Sequence, residues 1–276
     1  MLRQLAKGKV LGIFLGNLFE HYDTALYALL SPFLAPLFFP HHDALTALMM
    51  TYAIIPLGMV ARPFGALFFG FVGDVYGRQP ALYGSLLGMG CVTMMIGFLP
   101  TYQEIGAYAP LLLLLSRISQ NFFGAGEVAG GAVYILEEVD DKERDMMSSL
   151  FSASTIGGML LASALVSILA YFGQVEEEWR ILYLFGAVTA MCVLFLRRRG
   201  NFSAVDMSVG KVLKQYFHRV RGEWAVALQI MVVSGFSYAC YSIALVVVNG
   251  LVPLIAPVGS TDVMLDRKST RLNSSH

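Results

Sequence analysis

The sequence predicts an all-α integral membrane protein, on the strength of its composition and the spacing of its apolar runs. Of the 276 residues, 57% are hydrophobic and only 14% are charged, which is unlike a soluble globular domain. Apolar runs of about 20 residues, long enough to cross a hydrocarbon core as a helix, recur along the chain. The formal net charge is zero, so no basic surface for nucleic acid is expected.

Six membrane spans are predicted before a long polar stretch, and a seventh after it. The six are expected at residues 10–30, 48–72, 81–99, 111–136, 150–172 and 181–196. The seventh is expected to begin near Trp224 and to run to about Leu251. Basic residues precede the first span, as in a signal peptide, but Glu20 and Asp23 interrupt it and no small-residue cleavage site follows. The first span is therefore interpreted as a helix that stays in the membrane.

Basic residues are concentrated in alternate connections between the predicted spans. They precede span one, separate spans two and three and spans four and five, and follow span six. They include Arg3, Lys7, Lys9, Arg78, Lys142, Arg144, Arg197, Arg198 and Arg199. The opposite connections are mainly acidic, with Glu104 and Glu176 as examples. The positive-inside rule then predicts a cytoplasmic N-terminus, and we expect a multi-pass protein of a bacterial-type inner (plasma) membrane.

The cysteines and histidines give no pattern of a metal or enzyme site. The cysteines are Cys91, Cys192 and Cys240. All of them fall inside predicted spans with no paired spacing, and we interpret them as small apolar fillers. His41 and His42 precede Asp43, but no further ligand lies near them in sequence, so a solvated external turn is expected. We expect no metal, no cofactor and no enzyme activity.

Charged side chains interrupt the first predicted span. At about 100° per residue, one stripe of this helix about 60° wide contains Gly16, Glu20, Asp23 and Tyr27. Two carboxylates one turn apart in a low dielectric cannot both ionise cheaply, so one of them is expected to hold a proton. A proton-coupling group requires this property. In the alternative interpretation, Arg62 or Arg117 pairs with these acids only to orient the helices.

The fourth predicted span carries a second polar stripe. A sector of about 80° contains Arg117, Gln120, Gly124 and Glu127. Arg117 and Glu127 are roughly 15 Å apart along the axis, too far for a direct pair, so each is expected to face a separate partner along one polar path. An arginine suits bidentate binding of a carboxylate, either of a substrate or of a neighbouring acid. Glycines that would allow close helix approach are Gly124, Gly126, Gly130 and Gly131.

Residues 70–79 read GFVGDVYGRQ and are expected to form a loop after the second span. Gly77 supports a tight turn, and Asp74 and Arg78 can form a charge-assisted latch at the cytoplasmic face. This decapeptide resembles the cytoplasmic signature of the major facilitator superfamily. The matching residues are Gly70, Asp74, Gly77 and Arg78, whereas Val75 and Gln79 replace two basic positions. The latch is therefore expected to rely on Arg78. Residues 117–124 likewise resemble the fourth-helix signature of that superfamily, an arginine followed by a glycine.

The first span is similar to one branch of that superfamily, the metabolite:proton symporters related to dicarboxylate, citrate and proline/betaine carriers. The similarity lies in Gly16, Asn17, Glu20, Tyr22, Asp23 and Tyr27. Residues 61–66, residues 124–127, and Glu137 or Glu138 followed by Arg144 also fit the branch. His21 stands where these carriers usually have Trp, and Thr24 where Phe is usual. His21 either joins a proton relay with the neighbouring acids or packs against another helix.

The resemblance implies twelve helices in two six-helix halves that rock around a central site. We expect residues 1–199 to form the first half, residues 200–222 a cytoplasmic loop and residues 223–265 the start of the second half, about one helix long. That loop either contains a short amphipathic helix near residues 212–220 or is a simple linker. Residues 266–276 match the in-frame translation of a widely used sequencing adapter at every position, so they are expected not to be native.

The resemblance and the two polar stripes together predict a proton-coupled symporter of a small polar metabolite, a carboxylate or a zwitterion, working by alternating access. Glu20, Asp23 or Glu127 is expected to take the proton, and Arg117 and Gln120 to contact the substrate, with Tyr27 on the same pathway. Asp74 and Arg78 are expected to latch the cytoplasmic side. The expected partners are the substrate, protons, the lipid bilayer and the second half of the same protein, with the proton gradient as energy source. The alternative is a non-transporting receptor or sensor on a transporter fold.

Overall fold

The computed structural model describes residues 8–40, 43–139 and 141–197, together with isolated positions between 222 and 240. The chain divides into two compact units, Met1–Arg219 and Val220–His276. In the second unit the described positions are helical. The predicted loop at 200–222, most of the seventh span and the adapter-like tail lie outside the described residues, and so do His41 and His42.

The first unit is a bundle of helices, which confirms the all-α prediction. In chain order the described helices are α1 (Gly8–Phe38), α2 (Ala44–Met59), α3 (Ala61–Tyr76), α4 (Arg78–Gly97), α5 (Tyr102–Ile105), α6 (Tyr108–Glu138), α7 (Asp141–Tyr171) and α8 (Val175–Arg197). The first predicted span ended at residue 30, yet α1 continues through Pro32 and Pro36. Prolines are tolerated in membrane helices because neighbouring groups can satisfy the backbone that they free.

The second predicted span, at residues 48–72, is two helices rather than one. α2 ends at Met59 and α3 begins at Ala61, with Val60 between them at φ −56° and ψ −26°. Pro63 has no N–H to donate to the carbonyl of Met59, and its ring clashes with that carbonyl. The helical hydrogen-bond ladder is therefore interrupted at this point.

The predicted loop at residues 70–79 is wrong except at one residue. α3 continues to Tyr76 and α4 begins at Arg78, which leaves Gly77 alone outside the helices. Gly77 has φ 99°, a conformation that a residue with a Cβ atom rarely adopts. One glycine therefore suffices to reverse the chain, and the charged residues of the decapeptide remain helical.

Other polar residues that were predicted in connections begin helices or cap them. Glu176 lies in the first turn of α8 with two further acids, where negative charge interacts favourably with the helix dipole. Asp43 caps the N-terminus of α2, because its Oδ2 accepts a hydrogen bond from the backbone N–H of Thr46 over 3.0 Å. Asp43 thus has a structural role in the turn that was predicted to be solvated.

The core of the unit is arranged around α1. This helix packs against α7, α8, α2 and α6, while α4 packs between α6 and α8, and α3 lies against α6. Two glycines permit the closest approaches. A Cβ atom on Gly65 would lie 2.0 Å from the carbonyl oxygen of Phe122, and one on Gly158 would lie 2.0 Å from that of Leu18. Small residues at such positions allow membrane helices to approach backbone to backbone.

The exterior of the bundle is apolar. Among the described residues, four helical stretches are long and apolar enough to cross a membrane: Ala44–Tyr76, Arg78–Gly97, Asp141–Tyr171 and Val175–Arg197. Cys91 and Cys192 are exposed on this exterior rather than packed inside it. The remaining two long helices, α1 and α6, carry the buried charged residues. Their polar side chains therefore face the interior of the bundle.

Candidate functional site

The six side chains predicted to form a substrate or proton pathway are all buried in the first unit. They are Glu20, Asp23, Tyr27, Arg117, Gln120 and Glu127, and none is more than 5% exposed. Four of them line one narrow crevice between α1, α3, α4 and α6. The crevice is lined by Glu20, Asp23, Thr24, Arg62, Met89, Arg117, Gln120 and Asn121. Glu127 lies apart from it, in a second polar cluster.

Glu20 is paired with an arginine of another helix. The Nη2 of Arg62 donates to Glu20 Oε1 over 2.6 Å, and the Nε of Arg62 donates to Asn121 Oδ1 over 2.9 Å. Thr24 also donates to Glu20 Oε1, over 3.3 Å. Gly124 makes room for this carboxylate, because a Cβ atom there would lie 3.1 Å from Glu20 Oε1. The sequence offered Arg62 or Arg117 as a partner for the acids of α1, and Glu20 pairs with Arg62.

His21 lies against the same carboxylate. Its Nδ1 is 2.8 Å from Glu20 Oε2 and 2.9 Å from the carbonyl oxygen of Asn17. Its side chain is 10% exposed. Adjacent helical residues point in directions about 100° apart, yet the imidazole turns back far enough to reach its neighbour. The geometry is compatible with packing and with a proton relay, and a relay role for His21 stays a prediction.

Asp23 differs from Glu20 because none of the described residues offers it a cation within ion-pair distance. Its Oδ2 accepts a hydrogen bond from the hydroxyl of Thr93 over 2.6 Å. Its Oδ1 is buried and has no hydrogen-bond partner among the described residues. Gly186 of α8 faces this oxygen, and a Cβ atom there would lie only 2.6 Å from it. Asp23 is therefore a buried carboxyl group whose hydrogen-bond donor, the hydroxyl of Thr93, is uncharged.

Arg117 is the converse of Asp23, because it is a cation with no carboxylate within ion-pair distance among the described residues. Its Nη1 donates to Gln120 Oε1, and its guanidinium lies 4.4 Å from the centre of the Tyr27 ring. Tyr27 is fixed in turn by a hydrogen bond from its hydroxyl to the carbonyl of Thr51 over 2.9 Å. The Nε of Arg117 is buried and has no hydrogen-bond partner in the described part of the chain. Arg117 thus lines the crevice without a carboxylate of its own.

Thr93 connects Gln120 to Asp23. The Nε2 of Gln120 donates to the hydroxyl oxygen of Thr93 over 2.9 Å, and that hydroxyl donates to Asp23. Sequence reasoning did not single out Thr93. A lone threonine in an apolar span has many structural explanations, and only the packing of α4 against α1 and α6 gives it these partners.

Glu127 forms a buried ion pair with Arg197 at the end of α8. The pair is bidentate, with Nη2 donating to Oε1 and Nη1 donating to Oε2, the latter over 2.9 Å. The guanidinium also donates to the carbonyl of Gly12 from Nε and Nη2, and to the carbonyl of Leu82 from Nη1. These bonds can use all five N–H groups of an arginine. In the sequence analysis, Arg197 served only as one of the basic residues behind the predicted topology.

Gly16 provides the space for that ion pair. A Cβ atom on Gly16 would lie 2.1 Å from Glu127 Oε1 and 2.3 Å from Arg197 Nη2. Its place on the polar stripe of α1 was predicted, but its role is steric. The other glycines of α6 are also close to neighbouring side chains. A Cβ atom on Gly126 would lie 2.4 Å from Phe69, and one on Gly130 would lie 2.9 Å from Leu82.

The predicted cytoplasmic latch is a three-residue cluster. Arg78 Nη2 is 2.8 Å from Asp74 Oδ1, one turn away in sequence. Arg78 also forms a bidentate pair with Glu137 near the end of α6, from Nε and Nη2, each over 3.1 Å. Gly70 lies on α3, and Gly77 gives the turn that precedes Arg78. Glu137 was quoted in the resemblance but was not predicted as part of the latch.

A family comparison agrees with this architecture. Residues 13–261 match the family model of the Major Facilitator Superfamily. The chain therefore belongs to the major facilitator superfamily, and with its apolar helical exterior it is an integral membrane protein.

Two curated relatives are similar to this chain over most of its length. A Staphylococcus aureus (strain COL) protein, named provisionally as a proline/betaine transporter, is 36% identical over 205 residues, which are 72% of this chain and 44% of the relative. The alpha-ketoglutarate permease of Escherichia coli (strain K12) is 32% identical over 234 residues, 83% of this chain and 54% of the permease. The chain spans about half the length of the curated relatives it matches. Both relatives are named for transport rather than for an enzymatic reaction.

Solved structures show the same fold. The partially occluded inward open structure of the xylose transporter XylE from Escherichia coli matches with a TM-score of 0.61 and 20% identity. The match covers 71% of this chain and 48% of XylE. At this identity the similarity establishes the fold of the matched part and no more.

Proposed function

We propose that this chain forms part of a proton-coupled secondary transporter that moves a small carboxylate or zwitterion by alternating access. Membership of the superfamily supports transport as the activity. The relatives support the substrate class, because proline, betaine and alpha-ketoglutarate, which appear in their names, all carry a carboxylate. In such transporters, substrate and coupling ion bind near the bilayer midplane between repeated units.

The observation that carries the proposal is the pattern of charges left over in the crevice. Glu20 is neutralised by Arg62, and Glu127 by Arg197. Among the described residues, Asp23 has no cation and Arg117 has no carboxylate within ion-pair distance, although the two charges act on each other across the crevice. Uncompensated charges inside a membrane are costly and mark functional sites. One proton on Asp23 and one substrate carboxylate on Arg117 would neutralise both.

Arg117 is the proposed anchor for the substrate. Its guanidinium is stacked on Tyr27 and bonded to Gln120, so its position is fixed while its Nε stays unused. A guanidinium edge presents two parallel N–H groups that fit a carboxylate bidentately. Of the two arginines that line the crevice, Arg62 is paired with Glu20, whereas Arg117 has no acid within ion-pair distance among the described residues. One carboxylate of the substrate is therefore expected to bind on this wall of the crevice.

Asp23 is the proposed carrier of the proton, in preference to Glu20 and Glu127. Protonating either glutamate would break its ion pair with Arg62 or Arg197, and breaking a pair whose acid is buried costs several kcal/mol. Protonating Asp23 instead removes a buried charge that has no ion-pair partner among the described residues, and the hydroxyl of Thr93 can remain bonded to the neutral acid. The cluster of Asp74, Arg78 and Glu137 is proposed to act as a latch that holds α3 and α4 against the end of α6.

Uptake into proteoliposomes tests the proposal, with the protein expressed from its complete reading frame. Radiolabelled proline, glycine betaine and 2-oxoglutarate (alpha-ketoglutarate) are the probes. An inward proton gradient is expected to drive accumulation of at least one of them. D23N is expected to retain substrate exchange at equal pH and to lose accumulation. D145N, which alters an exposed acid, is the matched control. Binding of a probe without any uptake would overturn transport and favour the receptor alternative.

A further inference from the structure

Four buried side chains form one continuous and directional hydrogen-bond chain across three helices. Arg117 donates to Gln120 Oε1, Gln120 Nε2 donates to Thr93 Oγ1 over 2.9 Å, and Thr93 donates to Asp23 Oδ2 over 2.6 Å. None of the four is more than 5% exposed. The chain therefore begins at the proposed substrate anchor and ends at the proposed proton carrier.

The direction of the bonds is fixed by chemistry at both ends. A guanidinium can only donate, and an ionised carboxylate can only accept. Between them, the amide and the hydroxyl each accept on one side and donate on the other, so every donor points toward Asp23. Hydrogen bonds in series polarise one another in a low dielectric. The charge of Arg117 thus strengthens the bond that Thr93 donates to the carboxylate.

We propose that Thr93 and Gln120 are a relay that couples substrate binding at Arg117 to proton binding at Asp23, an inference that rests on the proposed function. A substrate carboxylate on the unused edge of Arg117 offsets the charge of the guanidinium, so the bond from Nη1 polarises the Gln120 amide less. Gln120 then donates less strongly to Thr93, and Thr93 donates less strongly to Asp23. The carboxylate loses stabilisation and takes up a proton. By linkage, a proton on Asp23 also raises the affinity for substrate, as symport requires.

Besides Thr93, other groups act on Asp23, and among them Arg117 acts directly through its charge and Gln120 directly through its side chain. Glu20 and Tyr22 lie on the same helix, Arg117 on α6 and Tyr183 on α8. Arg62 of α3 is engaged with Glu20. From α4 the described neighbour is Thr93, which is uncharged. Thr93 is thus a positioning residue that acts through its hydroxyl, and removing that hydroxyl should separate the two binding events.

Two measurements in proteoliposomes test the relay: substrate exchange at equal pH, and accumulation driven by a proton gradient. Proline, glycine betaine and 2-oxoglutarate are the probes. T93V keeps the shape of the side chain and removes its hydroxyl. It is expected to lower the accumulation ratio at least about fivefold, the lower end of typical coupling, while exchange stays within about twofold. T93S restores a hydroxyl and is expected to restore accumulation. T189V removes a hydroxyl that bonds only within α8 and is the matched control.

A double-mutant cycle distinguishes a relay from two independent contacts. Q120L is expected to lower the accumulation ratio, scaled to its own exchange rate, by a similar factor. In the T93V background it is expected to add nothing, because the chain is already cut. Additive losses would overturn the relay.

The remaining outcomes separate the relay from the proposed function. If T93V accumulates substrate as well as the unmodified protein does, the relay is wrong and proton coupling by Asp23 stands. If T93V loses exchange and accumulation in equal proportion, Thr93 serves translocation rather than coupling, and the relay is again wrong. If the unmodified protein exchanges substrate but never accumulates it, proton coupling itself fails, and the relay fails with it.

Discussion

Arg197 holds Glu127 in a bidentate ion pair inside the helix bundle, and the same guanidinium bonds the backbone carbonyls of Gly12 and Leu82. Four helices, α1, α4, α6 and α8, therefore meet at one cation. The arginine is fully used, so this cluster has no free donor for a substrate. Its role is to fix the packing of the helices that carry the crevice.

Arg197→Lys is expected to destabilise the protein strongly. An ammonium keeps the charge but cannot bond two carboxylate oxygens and two carbonyls at once. Glu127→Gln is expected to cost about 3–5 kcal/mol, because it leaves a buried cation without its counter-ion. Thermal unfolding in detergent measures both. Arg144→Lys is the control, because Arg144 forms an exposed pair with Asp141 that is worth about 1 kcal/mol at most. Equal melting temperatures for R197K and R144K would contradict the structural role of Arg197.

Gly16→Ala is expected to lower stability by about 1–3 kcal/mol, the usual cost of overpacking. The added methyl group would lie 2.1 Å from Glu127 Oε1, so the ion pair must move. Gly157→Ala is the matched control, because its nearest neighbour would be Leu18 Cδ1 at 3.6 Å, an ordinary contact. Helix propensity makes that control neutral or slightly stabilising. A G16A protein as stable as G157A would show that no steric constraint exists at Gly16.

Substrate affinity is expected to fall as the pH rises through the titration of Asp23, because the protonated acid favours the bound state. D23N mimics the protonated acid and is expected to bind tightly at every pH. Isothermal titration calorimetry with proline, glycine betaine or 2-oxoglutarate over pH 5–9 measures the dependence. H21N serves as the comparison. If the dependence survives in D23N and disappears in H21N, the imidazole beside Glu20 carries the proton and the assignment to Asp23 is wrong.

Glu137→Gln is expected to change transport rate more than stability. The Arg78–Glu137 pair is partly exposed, with the glutamate side chain 52% accessible, so its loss is expected to cost at most about 1 kcal/mol. A latch that must open and close needs a weak contact of this kind. Initial uptake rates and melting temperatures measured on the same preparation separate the two effects. Asp141→Asn, at an exposed helix start, is the control. A large drop in melting temperature for E137Q alone would identify the cluster as structural.

Much of the candidate site follows from helical phasing. The stripes on α1 and α6 placed the buried acids, Arg117 and Gln120 on inward faces, and the structure has all of them buried. The prediction of a loop at residues 70–79 was wrong because it was based on the end of the apolar run, which stops at the first charged residue. A helix ends only where its backbone hydrogen bonds end. Gly77, with φ 99°, is that end.

The class of protein and its set of buried charged residues follow from the amino-acid sequence. An apolar chain with acids and arginines inside its spans must turn those residues inward, since lipid cannot solvate them. The partner of each charged side chain depends on how the helices pack. Arg62 is 42 residues from Glu20, Thr93 is 70 from Asp23, and Arg197 is 70 from Glu127. Periodicity specifies the face of one helix, but the rotation and neighbours of each helix come from packing. That packing leaves Asp23 and Arg117 without an ion-pair partner among the described residues.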